Sequence, residues 1–173
     1  LGDVYKRQSM TSEGEQWLSD GNAVYPIFEL PLLNENYICK LYDINDAQRD
    51  KITFIIAKGK PEIDVNDSTA DESLAEMWDI EIAYNGKILL PISTSEGLMF
   101  IDRTYLSPFA DMPQQEMSLT LRYNSKSVPY FAIKFGMIAY GFIAACEIVD
   151  ENLVNSLKAL YIESEMILKN EKG

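Results

Sequence analysis

Asp79-Ile-Glu-Ile-Ala-Tyr-Asn85-Gly86-Lys-Ile-Leu-Leu-Pro-Ile92 decides how the rest of the chain is read. Ile80, Ile82 and Tyr84 alternate at the period of a half-buried strand, and Ile88, Leu90 and Ile92 resume that period beyond Asn85-Gly86. An Asn-Gly pair between two such runs supplies the positive φ angles of a type I′ turn, so an antiparallel hairpin is predicted. Residues 51–57, 98–101, 117–123, 128–135 and 137–149 carry further strand signals, broken at Pro108, Pro113, Asn124-Ser125 and Gly136. A mostly antiparallel meander of about five or six strands follows.

The C-terminal segment changes period. Asp150 stands in N-cap position, and Leu153, Leu157, Leu160, Tyr161, Ile167 and Leu168 recur at helical spacing. This amphipathic helix is expected to lie on the sheet. Asn34 is positioned to cap a short helix carrying Tyr37, Ile38, Leu41 and Tyr42, and Asn45 to begin a second turn. Between Trp17 and Leu33, Pro26 and Pro31 forbid a long helix, and the segment reads as an apolar-anchored loop with one short extended piece. Residues 58–76 hold Glu62, Asp64, Asp67, Asp71, Glu72 and Glu76 with few large apolar groups, the pattern of a solvated and mobile loop. The predicted class is α+β: a mostly antiparallel sheet or half-barrel, a short N-terminal helix, and a C-terminal amphipathic helix packed on the sheet.

With 173 residues, 47% of them hydrophobic, the chain has material for one sizeable core, and one domain over 10–173 is predicted. Leu1 to Gln8 has neither strand nor helix pattern and resembles translated sequencing-adaptor read-through. Residues 1–9 are therefore expected to be a non-native leader, with Met10 as the start. The two cysteines, Cys39 and Cys146, have no motif spacing and apolar neighbours, as free core thiols in a reducing compartment would. No secretory signal pattern is present, so a cytoplasmic setting is expected.

A formal net charge of −12 repels phosphate backbones, which argues against nucleic acid as a partner. An acidic surface serves solubility first. Its sharper use is to meet a basic partner. The chain has no histidine, which removes Ser-His-Asp and Cys-His mechanisms and most zinc sites. No catalytic residue, metal ligand or cofactor is therefore assigned, and the reading leans away from an enzyme; carboxylate, Lys or Tyr chemistry stays open. Tyr130 and Lys134 have the spacing of a dehydrogenase pair, but on a strand that spacing separates them by about 13 Å. Asp64-Val-Asn66-Asp67-Ser68 begins like a calcium loop, yet Thr69 stands where Gly belongs and Ala75 where Glu belongs. The uncharged run from Phe135 to Cys146 has 12 residues, short of the roughly 20 needed to span a membrane.

Trp17, Tyr25, Phe28, Tyr37 and Tyr42 make the first third aromatic, and Arg103 and Arg122 are isolated cations among apolar strands. Core packing with arginines reaching solvent accounts for these residues. A concave site in which Arg103 and Arg122 grip an anionic ligand and Trp17 and Tyr25 stack on it is the functional alternative.

Trp17-Leu-Ser-Asp-Gly21-Asn-Ala23-Val-Tyr25-Pro26, Leu30-Pro31-Leu-Leu33, Leu41-Tyr-Asp-Ile44, Arg49-Asp-Lys51-Ile52, Asn85-Gly86-Lys87 and Ser95-Glu96-Gly97 together resemble uncharacterised proteins of phages and prophages of anaerobic gut-type bacteria. That resemblance implies a phage-like setting in a bacterial cell and transfers no functional residue. The expected function is a non-enzymatic binding protein, a phage factor that sequesters or blocks a host component in immune evasion. Its partner is expected to be a basic host protein or a small anionic, nucleotide-like ligand, with self-association open. A virion or assembly component and a carboxylate-dependent enzyme are the alternatives.

Overall fold

The computed structural model describes residues 6–12, 15–51, 53–58, 60–146 and 150–171. It runs through β1 (Lys6–Ser12), β2 (Glu15–Ser19), β3 (Ala23–Ile27), α1 (Glu35–Leu41), α2 (Asp46–Arg49) and β4 (Thr53–Lys58). Next come β5 (Ser73–Met77), β6 (Ile82–Tyr84), β7 (Lys87–Thr94) and β8 (Gly97–Asp102). Two 3-10 helices, Arg103–Phe109 and Gln114–Glu116, lead into β9 (Met117–Tyr123), β10 (Pro129–Phe135) and β11 (Ile138–Ala144), and α3 (Glu151–Glu171) follows.

The strands form one curled sheet in the order β4-β1-β2-β3-β11-β10-β9-β5-β7-β6, with β8 against β7. Every strand pairing among the described residues is antiparallel except β1 with β4. The class is α+β, an antiparallel half-barrel with a C-terminal helix. Its Asn-Gly hairpin forms as predicted: Tyr84 lies opposite Lys87, and Asn85 and Gly86 have φ of 47° and 75°. These are the two left-handed residues of a type I′ turn.

The strand count, eleven among the described residues, exceeds the five or six predicted, and much of the excess lies near the N-terminus. Residues 15–27 form a hairpin, β2 with β3, where the prolines suggested a loop. Pro26 is tolerated because β11 reaches β3 only at Ala23 and Val24. Beyond Val24 the strand has β2 alone as neighbour, so on the β11 side no ladder bond is lost with the missing N–H. Lys6 to Ser9, set aside with the leader, begin β1, which puts Gln8 opposite Ser19 and Lys6 beside Thr53. Ladder bonds come from backbone groups, so a segment without side-chain pattern can still pair. Leu1 to Tyr5, and the end of the strand expected over 137–149, fall outside the described residues.

Alternation along β10 builds two apolar layers. Phe131 and Ile133 face the inner core with Leu121, Ile143, Ile92 and Phe109. Tyr130 and Ala132 face the other way, where Phe142 and Ala139 are covered by Ile63 and Val65. The acidic segment 60–72 is a loop with Glu62, Asp64, Asp67 and Asp71 exposed, as its composition suggested, but it also covers this face of the sheet through Ile63 and Val65.

Asp150 caps α3 by accepting the amides of Asn152 and Leu153 through Oδ1. The helix meets the sheet through Tyr161, whose ring stacks on Trp78 with centroids 3.9 Å apart and planes 9° from parallel. Leu153, Val154 and Leu157 are half-buried, while Leu160, Ile162, Met166 and Ile167 are exposed. No helix among the described residues is long and apolar enough to cross a membrane.

Candidate functional site

Gln16 on β2 organises the segment that follows β3. Its buried amide donates to the carbonyls of Leu30 and Pro31 at 2.9 and 3.1 Å and accepts the Leu33 amide at 3.0 Å. Three backbone groups of a proline-containing segment with no ladder of its own are thereby satisfied. Gln16→Ala is expected to speed amide exchange at Leu33 about tenfold, the equivalent of about 1.4 kcal/mol in local opening. Unchanged exchange there would show that the segment is held by packing alone.

The pinned segment forms one wall of a cleft of about 480 Å³, within the range of roughly 300–1,000 Å³ typical of binding pockets. Leu18 comes from β2, Tyr25 and Ile27 from β3, and Leu41 and Tyr42 from the end of α1. Tyr105 and Pro108 of the first 3-10 helix complete it. The Tyr25 hydroxyl donates to the Tyr105 carbonyl at 2.8 Å, and the Asn22 amide donates to the Tyr105 hydroxyl at 3.2 Å. Burial, followed by the nearby Asp20 charge, pushes the Tyr25 phenol far up, and burial raises Tyr105 as well. Both phenols stay neutral at physiological pH and serve as fixed walls, not as bases. Asp20 is the charged residue of the lining; its Oδ1 accepts the amides of Asn22 and Ala23. Such a lining takes apolar groups and offers an anion no counter-charge.

The residues singled out in the sequence do not converge. Tyr25 belongs to this cleft, but Trp17 is 3% exposed and cannot stack on a ligand there. It borders a different hollow beside Lys60, Val65 and Asp67. Arg103 pairs with Glu81 at 2.9 Å at the surface and lines a third hollow with Leu106 and Met117.

Arg122 is committed internally. Its side chain is 2% exposed. Nε and Nη2 donate to Glu72 at 2.9 and 2.6 Å, Nη1 to the carbonyls of Asp64 and Asn66, and Nη2 to that of Asp67. All five guanidinium hydrogens have partners. Lys134 donates to the other Glu72 oxygen at 2.6 Å, and the guanidinium lies 5.7 Å from the Phe142 ring centroid. The loop that begins like a calcium site therefore wraps an arginine, which takes the place of a metal ion. Tyr130 and Lys134 project toward the same loop, and the Tyr130 hydroxyl donates to the Asp64 carbonyl. The expectation that Arg122 grips a ligand is corrected: a guanidinium with five satisfied donors has none to offer.

Comparisons with protein-family models, with characterised proteins and with solved structures find no match to this chain. Tyr105, Leu41 and Leu30 are the cleft residues that the sequence left unassigned. The legible signal for Leu30 and Leu41 was the density of aromatic and aliphatic residues from Phe28 to Tyr42, where Phe28, Leu30, Leu32, Tyr37, Leu41 and Tyr42 are all exposed in the fold; Tyr105 had none.

Proposed function

We infer that this chain is a non-enzymatic protein-binding module that blocks a host protein inside a bacterial cell, in the manner of a phage factor. The observation that carries this reading is the preformed apolar cleft at Tyr25 and Tyr105, bordered by exposed Leu30, Leu41 and Tyr42. Contiguous exposed apolar surface on a folded chain marks an interaction site. The phage-like sequence resemblance supplies the bacterial, cytoplasmic setting.

Two alternatives lose support from the geometry. Sequestering a nucleotide-like anion called on Arg103 and Arg122, and the one is paired with Glu81 while the other is enclosed. A carboxylate-dependent enzyme needs a carboxylate free to take a proton. Among the described residues, Glu72 is instead tied to Arg122 and Lys134, and the buried Asp102 to Lys87, which weakens both as bases.

Affinity capture from a bacterial host with the wild-type chain and with Leu41→Asp tests the reading. A host protein retained in stoichiometric amount by the wild type and lost from the variant is the expected result. Equal retention by both, or retention of nothing but a nucleotide, overturns it.

A further inference from the structure

We propose that the occupant of the Tyr25–Tyr105 cleft is a basic peptide segment with apolar anchors, a refinement that rests on the protein-binding reading above. The apolar half of the recognition follows from the lining: Leu18, Ile27, Leu30 and Leu41 between two neutral tyrosines accept aliphatic or aromatic side chains. The basic half follows from the charge of the segment that supplies much of the lining, from Asp20 through Tyr42. From Asp20 to Asp50 the chain has six carboxylates against two cations, Lys40 and Arg49. Arg49 is already held by Glu35 at 2.9 Å. Asp20 stands in the cleft wall, and Asp43 directly follows the lining residue Tyr42.

Charge complementarity of this kind decides which partner approaches. Anionic lipid headgroups, nucleic acids and acidic peptides carry the sign that this acidic segment and the net charge of −12 repel. A Lys- or Arg-flanked apolar segment is attracted at the rim and desolvated in the cleft. This is how a groove takes the apolar face of an amphipathic peptide helix.

The test is calorimetric titration with three 14-residue peptides: Leu and Lys with Leu at helical spacing, the same with Glu for Lys, and the same with Ser for Leu. Binding of the Leu/Lys peptide about tenfold or more tighter than the other two is expected, with affinity falling as salt rises. Leu41→Ser, at a position 55% exposed and so tolerant of substitution, is expected to weaken that peptide about tenfold with its circular dichroism unchanged. The double variant Asp20→Asn/Asp43→Asn keeps the Oδ1 acceptor at Asp20 and a residue tolerant of the left-handed backbone at Asp43, φ 52°. It is expected to weaken the Leu/Lys peptide about fivefold and to flatten its salt dependence. Equal affinity for Lys and Glu peptides, both lost in Leu41→Ser, overturns the basic partner and leaves the cleft as a binding site. Leu/Lys binding that ignores Leu41→Ser is attraction to the acidic surface at large and overturns both readings.

Discussion

Arg122→Ala is expected to destabilise the fold by about 3 to 5 kcal/mol, the cost of breaking a buried ion pair from one side. The substitution removes five donors at once and leaves the carbonyls of Asp64, Asn66 and Asp67 facing a hollow. The 60–72 layer then loses its central anchor, although Lys134 still holds Glu72. Arg122→Lys should recover only part of the loss, because an ammonium carries three donors and no planar fork. Arg103→Ala provides the contrast: its pair with Glu81 is exposed on both sides, and a change within about 0.5 kcal/mol is expected. Urea unfolding followed by tryptophan fluorescence measures all three. Wild-type stability in Arg122→Ala would mean that the segment is held well enough by Ile63 and Val65, the Lys134–Glu72 pair and the Tyr130 and Ala139 hydrogen bonds.

The same network sets a pH dependence. Burial acts to raise the Glu72 carboxyl, but hydrogen bonds from Lys134 and Arg122 outweigh it and hold the group below its ordinary value. A carboxyl depressed in the folded state contributes its full stability above the unfolded pKa, about 4.3 for Glu, and loses it as pH falls through the folded value. Asp102 titrates in the same direction: burial raises it, and Thr104 and Lys87 more than compensate. Glu72→Gln should therefore lower stability at neutral pH and reduce, without abolishing, the acid-side slope.

What the sequence disclosed and what it hid divide along the range of the interactions. Asn85-Gly86 and the helical spacing from Leu153 onward are local signals, and the hairpin and the helix both formed, although β7 buries Leu89 to Ile92 in a run and α3 leaves Leu160 and Ile167 exposed. The hairpin of β2 and β3 was hidden because Pro26 argues against a strand until it is known that β11 stops at Val24. The packed side of the 60–72 loop was hidden because composition cannot reveal a cation 50 residues away, the separation between Glu72 and Arg122. A carboxylate-rich segment reads as wholly solvated when its counter-charge lies on another strand. The cleft was half visible for a similar reason. Its aromatic density was apparent in the first third of the chain, but the opposing wall, Tyr105 and Pro108, comes from a 3-10 helix some 80 residues on, the separation between Tyr25 and Tyr105.

Gly141→Ala is expected to cost about 2 to 3 kcal/mol, the scale of forcing an extra carbon into a filled core. Gly141 sits on β11 beside the register shift at Ile133/Lys134. A Cβ there would lie 2.6 Å from Phe109 Cζ and 3.1 Å from Tyr25 Cδ1. Neither ring retreats easily. Phe109 is 4% exposed and packs against Phe135 with centroids 5.8 Å apart, and Tyr25 is tied through its hydroxyl to the Tyr105 carbonyl. Relief therefore requires the first 3-10 helix to lift from the sheet, carrying Tyr105 and Pro108 away from the cleft. Stability and binding should fall together in Gly141→Ala, whereas Leu41→Ser, on the exposed rim, should lose binding with stability intact. Thermal unfolding and peptide titration on the two variants measure that contrast. A Gly141→Ala protein of wild-type stability with full affinity would show that the Phe109 and Tyr25 rings facing β11 yield at little cost and do not set the shape of the cleft.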